Sequence, residues 1–125
     1  MKNREGTDRN CPMETAIDVL SGKWKISIVW NLYRGPKRFN ELQRILCPIT
    51  QKTLTSQLRE LESDGIVSRK AYPEIPPRVE YSLTETGSHI KPAFRELLKW
   101  GIRYRKSRVE AGGSTAENGN AASEQ

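Results

Sequence analysis

One stretch, Arg38 to Leu83, limits what this chain can fold into more than any other: RFNELQRILCPITQKTLTSQLRELESDGIVSRKAYPEIPPRVEYSL. Its apolar residues change period twice. Leu42, Ile45 and Leu46 recur at helical spacing and predict a short helix, facing inward, that Asn40 can cap. Cys47-Pro48-Ile49 makes a turn, and Thr50 caps a second helix. In that helix Leu54, Leu58 and Leu61 recur at i, i+4 and i+7, and Asp64-Gly65 closes the last turn. The period then shortens to two. Ile66 to Tyr72 and Arg78 to Leu83 read as strands, the second with Val79, Tyr81 and Leu83 inward, and Pro73, Pro76 and Pro77 stiffen the loop between them.

Helix, tight turn, helix and hairpin, in that order, are the sequence form of a winged helix-turn-helix. The predicted fold is mainly α with a small β-hairpin wing, and duplex DNA is the first partner to consider. The inward leucines decide which side chains face out. At 100° per residue, Lys52, Ser56 and Arg59 lie within about 50° of the direction opposite the stripe, with Thr53 and Thr55 on its flanks. These residues and Gln51 supply the hydroxyl, amide and basic groups that bond base edges and phosphates. Thr50 can present the helix N-terminus to a phosphate. Lys37 and Arg38, before the first helix, and Lys70 and Arg78, in the hairpin, are further candidates. Arg78 has two readings: a groove or backbone contact, or an ion pair with Glu74 or Glu80. A polar helix face can also be merely solvated, but that reading leaves the turn, the wing and the basic charge unexplained together.

The flanks predict more helix. Pro12 suits a first helical position with Cys11 beside the N-cap, and Met13, Ile17 and Leu20 form a stripe that Ser21-Gly22 ends. From Lys23 to Tyr33 apolar residues surround almost the whole helix, which predicts the central buried one. Thr84 caps a short helix through about Lys91. From there Ile90, Phe94, Leu97, Gly101 and Tyr104 recur at spacings of four and three, with Leu98, Trp100 and Ile102 adding apolar surface. Such a seam suits pairing with a second subunit, together with Met13 and Ile17 of the first helix. The alternative is that the last helix folds back on its own domain.

At 125 residues the chain is one domain by size. Residues 1–10 read as a flexible arm, 11–108 as the folded domain and 109–125 as a disordered acidic tail. The net charge of +6 is uneven, because all 21 Lys and Arg residues precede Glu110. A basic body suits a polyanion. With no apolar leader and no run near the roughly 20 residues that span a bilayer, the expectation is a cytoplasmic protein without a membrane partner. Two cysteines and one histidine predict neither a disulfide scaffold nor a metal site. No phosphate loop, carboxylate pair or nucleophile constellation stands out, so a binding protein without cofactor is expected rather than an enzyme. Whether the binding surface serves DNA or a protein partner is open on these grounds. Cys11 also has two readings. Its place at a helix N-terminus favours a reactive thiolate, which Lys23 or Lys25 can assist; otherwise it is an inert, half-buried residue. Cys47 is expected to be a buried space-filler.

Three separated stretches, CPMETAIDVLSGKWK, LTSQLRELESDGIV and PPRVEYSLTETG, resemble in sequence and order the HxlR-type family of bacterial transcriptional regulators, and the likeness covers about Cys11 to Tyr104. The resemblance implies a homodimer joined through its first and last helices, with the Thr50–Ser63 helix in successive major grooves of a pseudo-palindrome whose half-sites lie about 34 Å apart. It also implies that Cys11, the cysteine before the first proline, is a candidate switch for an oxidant or a small electrophile. At the turn, Cys47-Pro48 stands where the family usually has Pro-Gly.

Overall fold

The computed structural model describes residues 11–112, so the expected N-terminal arm and the tail beyond Gly112 lie outside the described residues. The chain divides into two units that meet at Lys91 and Pro92. The first holds α1 (Pro12–Leu20), α2 (Lys25–Leu32), β1 (Lys37–Arg38), α3 (Phe39–Ile45), α4 (Gln51–Ser63), β2 (Val67–Tyr72), β3 (Arg78–Leu83) and α5 (Glu85–Ser88). The second is the long helix α6 (Lys91–Gly112), which opens at the boundary.

α1 starts at Pro12, whose missing N–H falls where a helix has no acceptor for it anyway. α2 buries Ile28, Val29 and Leu32. It begins at Lys25 rather than Lys23, and it is not apolar all round: Ile26 is 40% exposed while Lys25 is buried at 1%. α3 starts one residue before Asn40. The Glu41 carboxylate accepts a hydrogen bond from the Arg38 backbone N–H at 2.7 Å, which closes the first turn around Arg38, so Asn40 is not the cap. Leu42 and Leu46 are buried, but Ile45 is exposed rather than inward.

α4 follows the predicted bounds. The Thr50 hydroxyl accepts from the Thr53 backbone N–H at 3.1 Å, satisfying one of the orphan donors of the first turn. Leu54, Leu58 and Leu61 are 0–1% exposed; burying each stabilises the fold by about 1.5–3 kcal/mol. Gly65, at φ +77°, turns the chain out of the helix, and the Ile66 N–H bonds the Leu61 carbonyl at 2.9 Å.

The wing is a three-stranded antiparallel sheet, in the order β1-β3-β2, rather than a two-stranded hairpin. β1 has two residues, too few to show alternation in sequence. Its register sets Lys37 against Tyr81 and Arg38 against Glu80, while β2 sets Arg69 against Tyr81 and Lys70 against Glu80. Directly paired residues share a face. Lys37, Tyr81 and Arg69 therefore form a row on the face of buried Tyr81 and Val67, and Arg38, Glu80 and Lys70 form a row on the other.

Thr84 joins sheet to helix: its hydroxyl accepts from the Gly87 N–H at 3.0 Å, and its backbone N–H bonds the Ile66 carbonyl at 3.0 Å. α5 ends at Ser88, short of Lys91, and Ile90 precedes α6 instead of lying within it. α6 runs to Gly112, so residues 109–112, expected in the tail, are helical. Among the described residues no helix is long and apolar enough to cross a membrane.

A Cβ on Gly87 would collide with the Ile66 carbonyl, a backbone atom that cannot swing aside. Gly87→Ala should cost about 2 kcal/mol, of the order of core overpacking, and lower the melting temperature by roughly 10 °C in calorimetry. An unchanged melting curve would mean that α5 shifts freely on the sheet.

Candidate nucleic-acid interface

The leucine stripe leaves one side of α4 to solvent. Gln51, Lys52, Ser56 and Arg59 are exposed and Thr53 and Thr55 half-buried. An open groove along this side is lined by Thr50, Gln51, Lys52, Thr55, Ser56 and Arg59, with Glu60 at its edge. Seven side chains nominated from the sequence thus lie together on α4 and its cap. Their hydroxyl, amide and basic groups are of the kinds that hydrogen-bond base edges and phosphates.

Behind that side lies an interaction the sequence reading missed. The ammonium of buried Lys25, on α2, donates to Oε1 of Glu60, on α4. A lysine fully out of water needs such a partner. The pair fastens α4 to α2 and matches Glu60, a carboxylate lining the groove, with a cation. Helical phase held the clue, because Lys25 lies three, four and seven residues from the buried Ile28, Val29 and Leu32. Lys25 was, with Lys23, a candidate to assist the Cys11 thiolate; its charge is instead committed to Glu60, and Lys23 lies over the Trp24 ring at 4.9 Å.

The wing residues part company. Arg78 forms ion pairs with both Glu74 and Glu80, each at 2.7 Å, and its guanidinium stacks 3.8 Å from the Tyr72 ring centre. The Arg78 hydrogen bond holds the Glu74 carboxyl below its ordinary value against an opposing effect of desolvation, and Glu74 in turn raises Arg78 above its ordinary value. The Lys70 ammonium also sits over Tyr72, at 5.1 Å. Lys37 is half-buried and Arg38 exposed on opposite faces of the sheet. Arg69, which was not nominated, shares the face of Tyr81 and lines a cleft with Gln51, Thr55 and Arg59 of α4.

Cys11 is the half-buried N-cap of α1, and Cys47 is exposed rather than buried, because the turn projects it away from the packed Leu46 and Ile49. The residues nominated for subunit pairing divide. Met13, Ile17, Leu97, Leu98 and Tyr104 are 47–66% exposed, and the space over Gly101 is open. Phe94 is already buried within the single chain, and Ile90 is half-buried ahead of the helix.

A capped helix bearing a polar reading face, preceded by a short helix across a tight turn and followed by a small sheet, defines a winged helix-turn-helix DNA-binding protein. Residues 19–109 match the HxlR-like helix-turn-helix family, and the chain belongs to it. It is 44% identical over 117 residues to the HTH-type transcriptional regulator YdeP of Bacillus subtilis strain 168, covering 88% of this chain and 91% of that protein. It is 50% identical over 99 residues to YybR of the same organism, covering 79% and 76%. Among solved structures it resembles the redox regulator HypR in its reduced form, with a TM-score of 0.76 and 47% identity over 80% of this chain and 99% of that one. The protein is a DNA-binding transcriptional regulator of this family.

Two consequences can be measured. Glu60→Gln strands the buried ammonium and should destabilise the domain by about 2 kcal/mol in urea unfolding, less than a fully buried pair because Glu60 is 31% exposed. The Lys25→Met, Glu60→Gln double variant should be more stable than Glu60→Gln alone; additive losses would show that the two groups do not interact. At the wing, Glu74 should titrate below an ordinary glutamate in NMR and return to it in Arg78→Gln. The stabilisation it lends is present above the ordinary carboxylate range and is lost as pH falls through the depressed pKa.

Proposed function

We propose that the regulator acts as a homodimer, in the cytoplasm, on a pseudo-palindromic operator, with α4 in the major groove and α1 and α6 joining the subunits. The exposed reading face on α4 carries this proposal: Lys52, Ser56 and Arg59 point away from the leucine stripe with Thr50, Gln51, Thr53 and Thr55 beside them. Lys37 and Arg38, just before α3, are the proposed contacts to the flanking backbone. The dimer rests on α1 and α6, whose large apolar side chains Met13, Ile17, Leu97, Leu98, Trp100 and Tyr104 are uncovered in one chain; patches of this kind mark interfaces. Gly101 offers a flat place for helices to approach.

Oxidation or alkylation of Cys11 is the proposed signal. Cys11 is the N-cap residue of α1, two residues from exposed Met13, so oxidation there would add a polar group, and alkylation would add bulk, at the margin of the proposed interface. The structural neighbour HypR is a redox regulator with both an oxidised and a reduced form solved, which supports the same class of signal here.

Selection from a random duplex library should enrich a two-fold sequence whose half-sites are one helical turn apart, and Lys52→Ala with Arg59→Ala should abolish the enrichment. No enriched duplex would refute the reading. Leu97→Asp and Gly101→Leu should sediment as monomers and bind the selected duplex weakly, the second with an unchanged circular dichroism spectrum. Sedimentation identical to the parent would remove α6 from the interface. A mild thiol oxidant should change the parent's affinity for that duplex and leave Cys11→Ser unaffected; equal responses would exclude Cys11 as the switch.

A further inference from the structure

The wing cations expected to touch DNA are largely occupied with one another's neighbours, whereas a different pair is not. Arg78 is held by two carboxylates and a tyrosine ring, and Lys70 lies over the same ring. Arg59 and Arg69 form no hydrogen bond or ion pair among the described residues. Both border one cleft of about 550 Å³ between α4 and the sheet. The β2–β3 register accounts for Arg69 being there, since it is paired with Tyr81 on the inward face while Lys70 is paired with Glu80 on the outward one.

The cleft has the chemistry of an anion slot. Gln51 and Thr55 offer an amide and a hydroxyl from the helix wall, and Val79 and Tyr81 form an apolar floor. Among the described residues Glu62 is the one carboxylate on the lining, so two guanidiniums leave the positive charge in surplus. Like charges across a cleft repel, and the repulsion ends when an anion with several acceptor oxygens lies between them. Arg59 lines the reading groove as well as this cleft. An anion held here is thus next to the bases that α4 addresses.

We propose that Arg69, together with Arg59, clamps a backbone phosphate of the bound duplex in this cleft, and that Arg78 stiffens the wing without contacting DNA. The proposal rests on the reading of α4 as the helix that enters the major groove. The wing then contributes through an inner strand position rather than through its proline-rich tip.

The test is a salt titration of two duplexes, the one enriched by selection and a scrambled version, with parent, Arg69→Gln, Arg69→Lys, Arg78→Gln and Lys52→Ala. Loss of one phosphate contact lowers affinity on every sequence alike and reduces the slope of log K against log salt by about one. Arg69→Gln should bind both duplexes about tenfold more weakly, as expected for one charged hydrogen bond, with that loss of slope and an unaltered melting temperature. Arg69→Lys should regain the slope, because it keeps the charge; a folding defect would not be repaired this way. Arg78→Gln should keep the parental slope. The proposal is overturned if Arg69→Gln binds as the parent does while Lys52→Ala is weakened, or if Arg78→Gln is the variant that loses the unit of slope. Parental binding by Lys52→Ala as well would bring down the reading of α4 itself.

Discussion

The burial of three leucines on α4 governs most of what this protein presents to a partner. With Leu54, Leu58 and Leu61 out of water, the rotation of the helix about its axis is settled. A turn of even one residue's worth would expose one leucine and bury a polar group, at a cost of several kcal/mol. The Lys25–Glu60 pair adds a directional restraint to this non-directional one. A hydrophobic stripe tolerates small sliding along the axis, whereas an ion pair between two particular side chains opposes it. Reading a base edge requires both restraints, because hydrogen bonds to a groove tolerate errors of only a few tenths of an ångström.

Local chemistry is strongly written in this sequence, and pairings between distant residues are weakly written. The Thr50 cap, the α4 stripe and the bounds of β3 were legible because each rests on local chemistry: a hydroxyl before a helix, a repeat of three and four, a repeat of two. Features that depend on a partner distant in sequence were not. Lys25 was read only as a cation that could assist Cys11, because the partner its burial requires, Glu60, lies 35 residues later. β1 went unseen because it exists only through its pairing with β3. Asn40 looked like a cap by residue type, but the carboxylate of Glu41 completes the turn one residue earlier. Cys47 was expected inside because it lies at a turn between two packed helices, and that turn places it outside.

The site shows the same division. The α4 candidates came together as the helical period required, because one helix carries them all. The wing candidates were chosen by charge, and charge does not reveal which face of a sheet a residue occupies. Pairing register does. It separates Lys70 and Arg69, adjacent in the chain, onto opposite sides, and only the second lies across from α4.

The clamp around Arg78 has a further consequence for how such a protein can change over generations. With Glu74, Glu80 and Tyr72 satisfying its charge, the tip from Pro73 to Pro77 is close to electrically self-contained. Ile75, wholly exposed at its apex, makes no demand on the core. Position 75 can drift while Glu74 keeps its pair with Arg78 and the three-stranded frame keeps its register. The exposed positions of α4, Lys52 and Ser56 among them, are independent of these wing pairs. The fold thereby keeps the self-paired wing tip apart from the polar helix face that meets a partner.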